Sequence, residues 1–333
     1  MAELRLQTAT SGLIDREEYE LNSVQAAVQD EGLAWLDILR PDDEVRAFLL
    51  ENMDFDELAV EDVFGPADTT AQKFQNHRFI VINARDADNQ LDTEPVAIFI
   101  KDNLIITVRH YSIPALKKFR FRFKKADEED LALGIDFLLY ELLDSIADDW
   151  TPILNSYSRQ LDQLEFQVFD PSKRYDNVLE SIHDLKRYLR EASKSIESLN
   201  TVTMRLLKPN ERLIGSAAER YFSDLNQLSV ALVKRANNYS SGATSARASY
   251  LSHISMQLAE SNAQLTEVMT TLTIIGAIML PLTLIAGIFG MNTGNLPLQQ
   301  AGGFWGIVSI MLAFACVMLV FFWRRGWLKT YEE

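Results

Sequence analysis

The sequence contains very little of what builds a disulfide framework or a soft-metal site. Its 333 residues include one cysteine, Cys316, and four histidines. A single cysteine cannot form an intramolecular disulfide or a cysteine-based zinc cage. The histidines are scattered and show neither H-x₃-H nor HExxH spacing, so they do not indicate a zinc site. They are His77, His110, His183 and His253.

Basic residues are also scarce relative to acids. The chain has 32 Lys and Arg against 47 Asp and Glu, which gives a net charge of −15. This balance argues against nucleic acid or anionic lipid as the main partner and favours cations. The sequence also contains no G-x-S-x-G and no GxxxxGK[ST] motif, so it gives no support to a serine hydrolase or a nucleotide-driven enzyme.

Two long runs contain no charge at all, Thr271–Gly290 and Phe304–Trp323. About 20 residues at 1.5 Å each match a hydrocarbon core of roughly 30 Å, so both runs predict transmembrane helices. The alternative is a pair of buried core helices, but such helices rarely run this far without a charge. The polar, mixed-charge start of the sequence predicts no signal peptide. We therefore expect a membrane protein anchored at its C-terminal end.

The distribution of basic residues predicts the orientation in the membrane. The linker 291–303 contains no Lys or Arg, whereas the tail 324–333 carries Arg324, Arg325 and Lys329. The positive-inside rule then places both termini in the cytoplasm, with two passes through the cell (inner) membrane. Anchoring at lipid headgroups is an equally good account of the three basic residues.

Residues 1–125 are predicted to form a cytoplasmic α/β domain. Short runs rich in β-branched and aromatic residues indicate strands, and Lys101-Asp102-Asn103 indicates a hairpin turn. Two segments, 42–52 and 56–64, are predicted as short helices. The predicted strands are Ala34–Leu39, Phe79–Ala84, Val96–Ile100 and Leu104–Val108.

Residues 126–270 are predicted to form a stalk of long cytoplasmic helices, followed by spans at 271–290 and 304–323. Breaks are expected at Pro152, at Pro171 and at Lys208-Pro209-Asn210. After these, one helix of nearly 80 residues, about 120 Å long, can run from Glu211 to Phe289. Such a helix cannot cover its own apolar face, so it predicts packing against copies of itself.

One face of the first span combines small, hydroxyl and apolar residues. The spacing of three or four between successive positions places them on the same side of a helix. Small residues on one face are common where membrane helices pack. The same face can instead line a pore, with apolar rings as a constriction and one polar ring at Thr283. Its members are Met269, Leu272, Gly276, Leu280, Thr283 and Gly287.

The first span ends in Phe289-Gly290-Met291-Asn292, and here the sequence resembles the CorA family of divalent-cation transporters. The signature of that family is Gly-Met-Asn at the end of the first of two C-terminal helices. The run MLPLTLIAGIFGMN and the upstream segment Leu58–Val63 (LAVEDV) are also similar to the family's sequences. The resemblance covers most of the chain.

The resemblance implies a homopentameric funnel in which five first helices surround one pore. Gly290, Met291 and Asn292 would form its outer, selective mouth, and the face described above would line it. A neutral ring of amide and carbonyl oxygens suits Mg²⁺, which gives up its waters reluctantly. An inside-negative potential of about 100 mV favours entry of a divalent ion by roughly 4.6 kcal/mol, so no ATP site and no prosthetic group are needed.

The resemblance also implies regulation by cytoplasmic metal. In the family, carboxylates between subunits bind cations that hold the pore closed. Tyr221-Phe222-Ser223-Asp224 resembles a segment that supplies one of them, so Asp224 is the candidate, with Asp86 or Asp88 of a neighbouring subunit as partners. The alternative is that these acids form a solvated surface. Arg324, Arg325 and Lys329 match the family's basic cluster below the bilayer.

The identity of the ion stays open at this stage. Phe289 replaces the family's usual Tyr, and Leu296-Pro297-Leu298 stands where many magnesium-type members carry an acid. The neutral, Gly-rich linker and the GWL after the second span are similar to the ZntB branch, which is associated with zinc and proton coupling. We expect Mg²⁺, with Co²⁺ or Ni²⁺ as surrogates, and keep Zn²⁺ as the alternative. An alternative of another class is a cytoplasmic enzyme or scaffold held by a membrane hairpin.

Overall fold

A computed structural model describes residues 2–9, 14–16, 21, 24, 32–87, 92–169, 177–291 and 303–327. The chain divides into two compact units, residues 1–250 and residues 251–333. Each unit is described separately below. The predicted break at Pro171 and most of the predicted linker 291–303, including Asn292, lie outside the described residues, as do Asp88 and Lys329.

The first unit is built on a seven-stranded sheet with the strand order β2-β1-β3-β7-β6-β5-β4. Neighbouring strands are antiparallel except β3 and β7, which run parallel with Trp35 opposite Ile105. The predicted hairpin turn joins β6 to β7, and Asp102 takes the left-handed conformation (φ 50°) that such tight turns need. The strands are β1 (Glu3–Ala9), β2 (Ile14–Arg16), β3 (Leu33–Leu39), β4 (Thr70–Lys73), β5 (Arg78–Arg85), β6 (Thr93–Lys101) and β7 (Leu104–Arg109).

Short helices cover one face of the sheet. They are α1 (Asp43–Ala47), a π-helical turn (Phe48–Asn52) and α2 (Glu57–Phe64). The carboxylate of Asp42 accepts a bond from the Val45 N–H, and that of Asp56 accepts one from the Leu58 N–H, so both helices start at an aspartate cap. Their apolar sides pack with Phe79 and Phe99 of the sheet.

Long helices cover the other face. They are α3 (Pro114–Lys125), the short α4 (Glu128–Ala132), α5 (Ile135–Phe169), α6 (Val178–Leu206) and the first part of α7 (Glu219–Gly290). Alternation along the central strands sends Trp35, Ile98 and Ile105 to this face, where they join the helices in one core. The sheet is therefore buried between two helical layers.

The break predicted at Pro152 is wrong, because α5 continues through it from Ile135 to Phe169. Pro152 is exposed, whereas Trp150 and Leu154 are buried in the core. Water can therefore bond the carbonyl that the missing proline N–H leaves open, while the packed side of α5 holds the helix together. The break at Lys208-Pro209-Asn210 is confirmed, since α6 ends at Leu206 and α7 begins at Glu219. The long helix has 72 residues and starts eight residues later than predicted.

The second unit contains the rest of α7, from Leu251 to Gly290, and α8 (Gly303–Arg324). Within the described part of the chain, these two helices are long and apolar enough to cross a membrane. Buried residues make up only 6% and 0% of their most apolar windows. A core helix of a water-soluble domain would be covered, so this exposure contradicts the alternative of buried core helices. The predicted fold class is confirmed: an α/β sheet domain, a long helix and two C-terminal candidate spans.

Candidate ion pathway

The predicted pore face is continuous in the structure, because α7 runs without a break through all of its positions. At 100° per residue the six positions from Met269 to Gly287 fall within an arc of about 80°. The apolar side chains on this arc are strongly exposed, with Met269 at 70% and Leu280 at 73%. Nothing in the described chain covers this face.

The covered positions lie on the opposite side of the same helix. Ile274 is 8% exposed, and the half-buried Ile278, Ile285 and Phe289 follow it at successive spacings of four, seven and four residues. These positions lie roughly half a turn away from Met269 and Leu280. The helix thus has a covered side and an open side, and the predicted pore residues are on the open one.

The polar groups of this span are partly satisfied within the helix. The Thr283 hydroxyl donates to the Met279 carbonyl at 2.8 Å and keeps its oxygen lone pairs on the open face. Pro281 has no N–H for the Ala277 carbonyl four residues earlier, so that carbonyl needs another partner. Among the described residues, an added Cβ at Gly276 or Gly287 would meet nothing within 4 Å. A neighbouring helix can therefore approach the backbone there.

The predicted outer mouth begins where α7 ends. Gly290 is the last helical residue, and Met291, which follows it, is exposed. Asn292 lies outside the described residues. At the end of α8, Arg324 closes the helix and the guanidinium of Arg325 stacks over the Phe321 ring at 5.7 Å. Both arginines are exposed.

Asp224, the candidate regulatory carboxylate, is exposed on α7 in the first unit. The preceding Tyr221 packs against Phe137 and Tyr140 of α5. Burial, together with the negative charges of Asp144, Glu141 and Asp224, raises the pKa of Tyr140 to about 12. The charges of Asp224, Glu141 and Asp144 thus act on the same tyrosine, and the charge of Arg122 opposes them there.

Sequence reasoning missed a cluster of carboxylates on α5, the helix against which Tyr221 packs. Glu141, Asp144 and Asp148 are spaced three and four apart on α5, and all three bind Arg122. Burial raises the pKa values of Glu141 and Asp144, and the Arg122 charge opposes that shift. The spacing was a usable signal, but acids at helical spacing are common on solvated faces.

The other predicted carboxylate, Asp86, lies elsewhere in the first unit and is 5% exposed. Its N–H donates to the Asp92 carbonyl at 3.1 Å. Burial raises the pKa of Glu94, and the negative charge of Asp86 also contributes to that rise. Asp86 would have to become accessible to bridge to a neighbouring subunit. Among the residues that the structure describes, no three His, Cys, Asp or Glu side chains are grouped to hold a metal ion.

A continuous helix that leads from a large acidic domain into an uncharged and uncovered span, followed by a second span, defines an integral membrane protein with the features of an ion transporter. Residues 30–325 match the family of CorA-like Mg²⁺ transporter proteins. The chain therefore belongs to this family, whose members transport divalent metal ions across membranes and are not enzymes.

Individual relatives agree with this assignment. A cobalt/magnesium transport protein CorA of Thermotoga maritima is 28% identical over 259 residues, which cover 77% of this chain and 71% of the relative. The complete CorA magnesium transporter of Methanocaldococcus jannaschii superposes with a TM-score of 0.69 over 98% of this chain and 99% of that one, at 21% identity. The cytoplasmic domain of ZntB from Vibrio parahaemolyticus shares the fold, with a TM-score of 0.60 over 78% of this chain and all of that one, at 11% identity.

Proposed function

We propose that this protein is a homopentameric channel that admits Mg²⁺ into the cell, with Co²⁺ and Ni²⁺ as surrogate ions. The observation that carries the proposal is the open, uncharged face of α7 that leads to Gly290-Met291-Asn292. A closed ring of identical subunits turns each position on this face into a ring around one axis. A homo-oligomer also covers an apolar face that the single chain leaves exposed.

The chemistry of the rings suits a hydrated divalent ion. Gly290 and Asn292 offer neutral oxygens at the mouth, and a neutral ring binds the ion's water shell without having to strip it. Thr283 and the glycines give polar or open positions further in, whereas Met269, Leu272 and Leu280 narrow the path and can close it by dewetting. The absence of His and Cys along this face in the sequence gives no soft ligands for a dehydrated zinc ion.

The membrane potential supplies the driving force in this proposal. With both termini in the cytoplasm and the spans in the inner membrane, a divalent cation entering down about 100 mV gains roughly 4.6 kcal/mol. Arg324, Arg325 and Lys329 would then lie on the cytoplasmic side, where they meet the headgroups. Because all but two of the 47 acids precede residue 271, the cytoplasmic portion attracts the entering cations.

Asp224 is proposed as the site through which internal metal limits uptake. Its exposure on α7 leaves its carboxylate accessible to cations, and its charge acts on Tyr140 together with those of Glu141 and Asp144. Asp86 and Asp88 remain the proposed partners on a neighbouring subunit. Metal bridging these carboxylates would hold subunits together and keep the path closed.

Proton-coupled Zn²⁺ transport is the second candidate, because the outer linker is neutral as in the ZntB branch. Uptake into proteoliposomes separates the two functions when Mg²⁺ and Zn²⁺ are offered separately, with and without a proton gradient. We expect Mg²⁺ entry that follows the membrane potential and ignores the proton gradient. Proton-dependent Zn²⁺ entry with little Mg²⁺ flux would overturn the magnesium assignment.

A further inference from the structure

A cavity of about 410 Å³ opens in the first unit, between the turn that joins β4 to β5 and the connection from α6 to α7. Its volume is in the range of small-molecule sites in proteins, and no residue of the predicted pore face lines it. In a chain of net charge −15, an excess of basic over acidic side chains in one cavity indicates an anionic ligand. The charged residues that line it are Lys73, Arg78, Arg212, Asp102 and Asp136.

Arg78 and Asp136 hold the wall of this cavity in place. Nη1 of Arg78 donates to the Asp136 carboxylate and to the Leu213 carbonyl. The Gly215 N–H donates to the other oxygen of Asp136 at 2.7 Å. These bonds join β5 and the start of α5 to the connection, and the charges of Arg78 and Asp136 offset each other. A wall that is fixed before a ligand enters costs less to order on binding.

The other two cations of the cavity are unpaired. Lys73 and Arg212 are exposed, and neither makes an ion pair with another described residue. Arg212 has a φ of 45°, a left-handed conformation that is uncommon outside glycine and that clusters at ligand-binding sites. Asp102, the remaining acid, is exposed at the turn between β6 and β7. Two unpaired cations match the charge of a phosphate monoester, and an arginine can bind its oxygens in pairs.

His77 adds a buried acceptor without a donor. The Asn76 amide nitrogen donates to the Asp54 carbonyl at 2.6 Å and to its carboxylate at 3.1 Å, so the Asn76 amide oxygen faces Nδ1 of His77 at 2.6 Å. Nδ1 then carries the hydrogen, and Nε2 of the neutral ring is an acceptor. His77 lines the cavity and is 4% exposed, and its Nε2 has no hydrogen-bond partner among the described residues. Such an acceptor indicates a donor supplied by a ligand or a bound water.

Phe74 offers a flat apolar surface to the same cavity. It is half-buried, and its ring stacks on that of His77 with the centroids 4.7 Å apart and an interplanar angle of 9°. A half-buried aromatic ring can take a further flat group by stacking. A ligand that matches all of these features carries a phosphate, a hydroxyl or amine donor, and a flat ring.

We propose that this cavity binds a nucleoside phosphate, with the phosphate on Lys73 and Arg212. The base would lie beside Phe74, and a hydroxyl or amine group of the ligand would donate to His77. All of these residues belong to the first unit, so the site does not depend on the proposed transport function.

Titration calorimetry on the full chain in detergent tests the site with AMP, ATP, adenosine and inorganic phosphate, at one fixed concentration of free Mg²⁺. We expect AMP and ATP to bind once per chain, and adenosine and inorganic phosphate to bind at least about tenfold more weakly, because each offers only part of the contacts. Lys73→Ala and Arg212→Ala should each weaken AMP binding about tenfold, because each removes a charge-assisted hydrogen bond. Lys208→Ala removes a charge from the same connection outside the cavity, and it should bind AMP as the wild type does.

His77→Phe tests the buried acceptor, because it keeps an aromatic ring beside Phe74 and removes Nε2. This variant should bind AMP more weakly than the wild type and bind inorganic phosphate equally well. The thermal midpoint without ligand shows whether the buried substitution disturbs the fold. Lys73 and Arg212 are exposed, so their variants test the site even if His77→Phe does not fold.

Two results would overturn the proposal. Equal affinity of the wild type for AMP and inorganic phosphate would mean a simple anion site and remove the nucleoside from the assignment. No binding of AMP or ATP, or AMP binding that Lys73→Ala and Arg212→Ala leave unchanged, would make the two cations a surface for solvent or a neighbouring subunit. Because none of these measurements uses transport, their failure leaves the proposed channel untouched.

Discussion

Gly242 of α7 faces Leu161 of α5 so closely that a Cβ added at Gly242 would lie 2.8 Å from Leu161 Cδ2. The neighbouring pair Arg235 and Asn155 is joined by a hydrogen bond between the same two helices. Between the Asn155–Arg235 pair and the Leu161–Gly242 pair, α5 advances by six residues and α7 by seven. The two helices therefore run parallel here. The packing of the Leu161 side chain onto the Gly242 backbone thus helps to fix the position of α7 against the first unit's core.

Gly242→Leu should lower the free energy of unfolding by about 1–3 kcal/mol, because the larger side chain cannot enter this contact without moving α5. Gly242→Ala should be nearly neutral, since the tip of Leu161 can shift and alanine favours a helix by up to about 1 kcal/mol. Thermal denaturation of the full chain in detergent measures both effects. Ser241→Leu, on the exposed neighbouring position, is the control, and equal losses in the two leucine variants would contradict the account.

A buried ion pair under α3 gives the second prediction. Asp37 is 1% exposed and accepts bonds from Arg109, at 2.8 and 3.0 Å, and from Arg120, at 2.8 Å. Asp37→Ala leaves two arginines without their carboxylate, so we expect a loss of about 3–5 kcal/mol. The exposed Glu44→Ala is the control in the same denaturation experiment. A loss below 1 kcal/mol for Asp37→Ala would mean that the pair contributes little.

His77 gives a pH prediction. It is 4% exposed, its ring stacks on Phe74 with the centroids 4.7 Å apart, and burial lowers its pKa below the usual 6.5. The charged groups that act on it are Asp54, Asp56 and Lys101. Because the unfolded chain binds the proton more readily, stability should fall as the pH drops from 6.5 to the lowered pKa.

The measurement compares thermal midpoints at pH 7.5 and pH 5.5 for the wild type, His77→Phe and the exposed control His183→Gln. The wild type and His183→Gln should lose stability alike on acidification, and His77→Phe should lose less. An identical pH dependence in all three proteins would contradict a role for His77.

Asp224→Ala should leave Mg²⁺ uptake less inhibited by Mg²⁺ inside the vesicle, because it removes the proposed regulatory carboxylate. Asp162→Ala, an acid on α5, is the control for the change in net charge alone. Uptake is recorded at several internal Mg²⁺ concentrations with the external concentration fixed. Unchanged inhibition by internal Mg²⁺ in Asp224→Ala would contradict the regulatory proposal.

The sequence was informative where a single physical requirement dominates. The thickness of the bilayer requires about twenty uncharged residues in a spanning helix. Burial on both faces of the sheet requires apolar strands, such as those around Ile80, Ile98 and Ile106. The spans and these strands were therefore predicted to within a few residues. Lys208-Pro209-Asn210 marked a true break because it lies between packed helices. Pro152 did not, because tertiary packing on its buried neighbours outweighs one lost hydrogen bond.

The rest depended on contacts between distant parts of the chain. Strand β1 has only two large apolar residues, Leu4 and Leu6, and β4 has only four residues, so neither stood out from its surroundings. Asp37, Arg109 and Arg120 look like ordinary surface charges in the sequence, and only the pairing of β3 with β7 under α3 brings them together. The six predicted pore positions lie on one face of α7, but the role proposed for them requires neighbouring subunits.

The central claim is that cations enter through a path whose outer mouth includes Asn292. The most direct test measures Mg²⁺ uptake into proteoliposomes under a fixed inside-negative potential, for the wild type and for Asn292→Ala, with Asn295→Ala as a control in the same linker. We predict uptake by the wild type and by the control that rises with the potential, and a near-complete loss in Asn292→Ala at unchanged oligomeric state. Wild-type flux in Asn292→Ala would contradict the account.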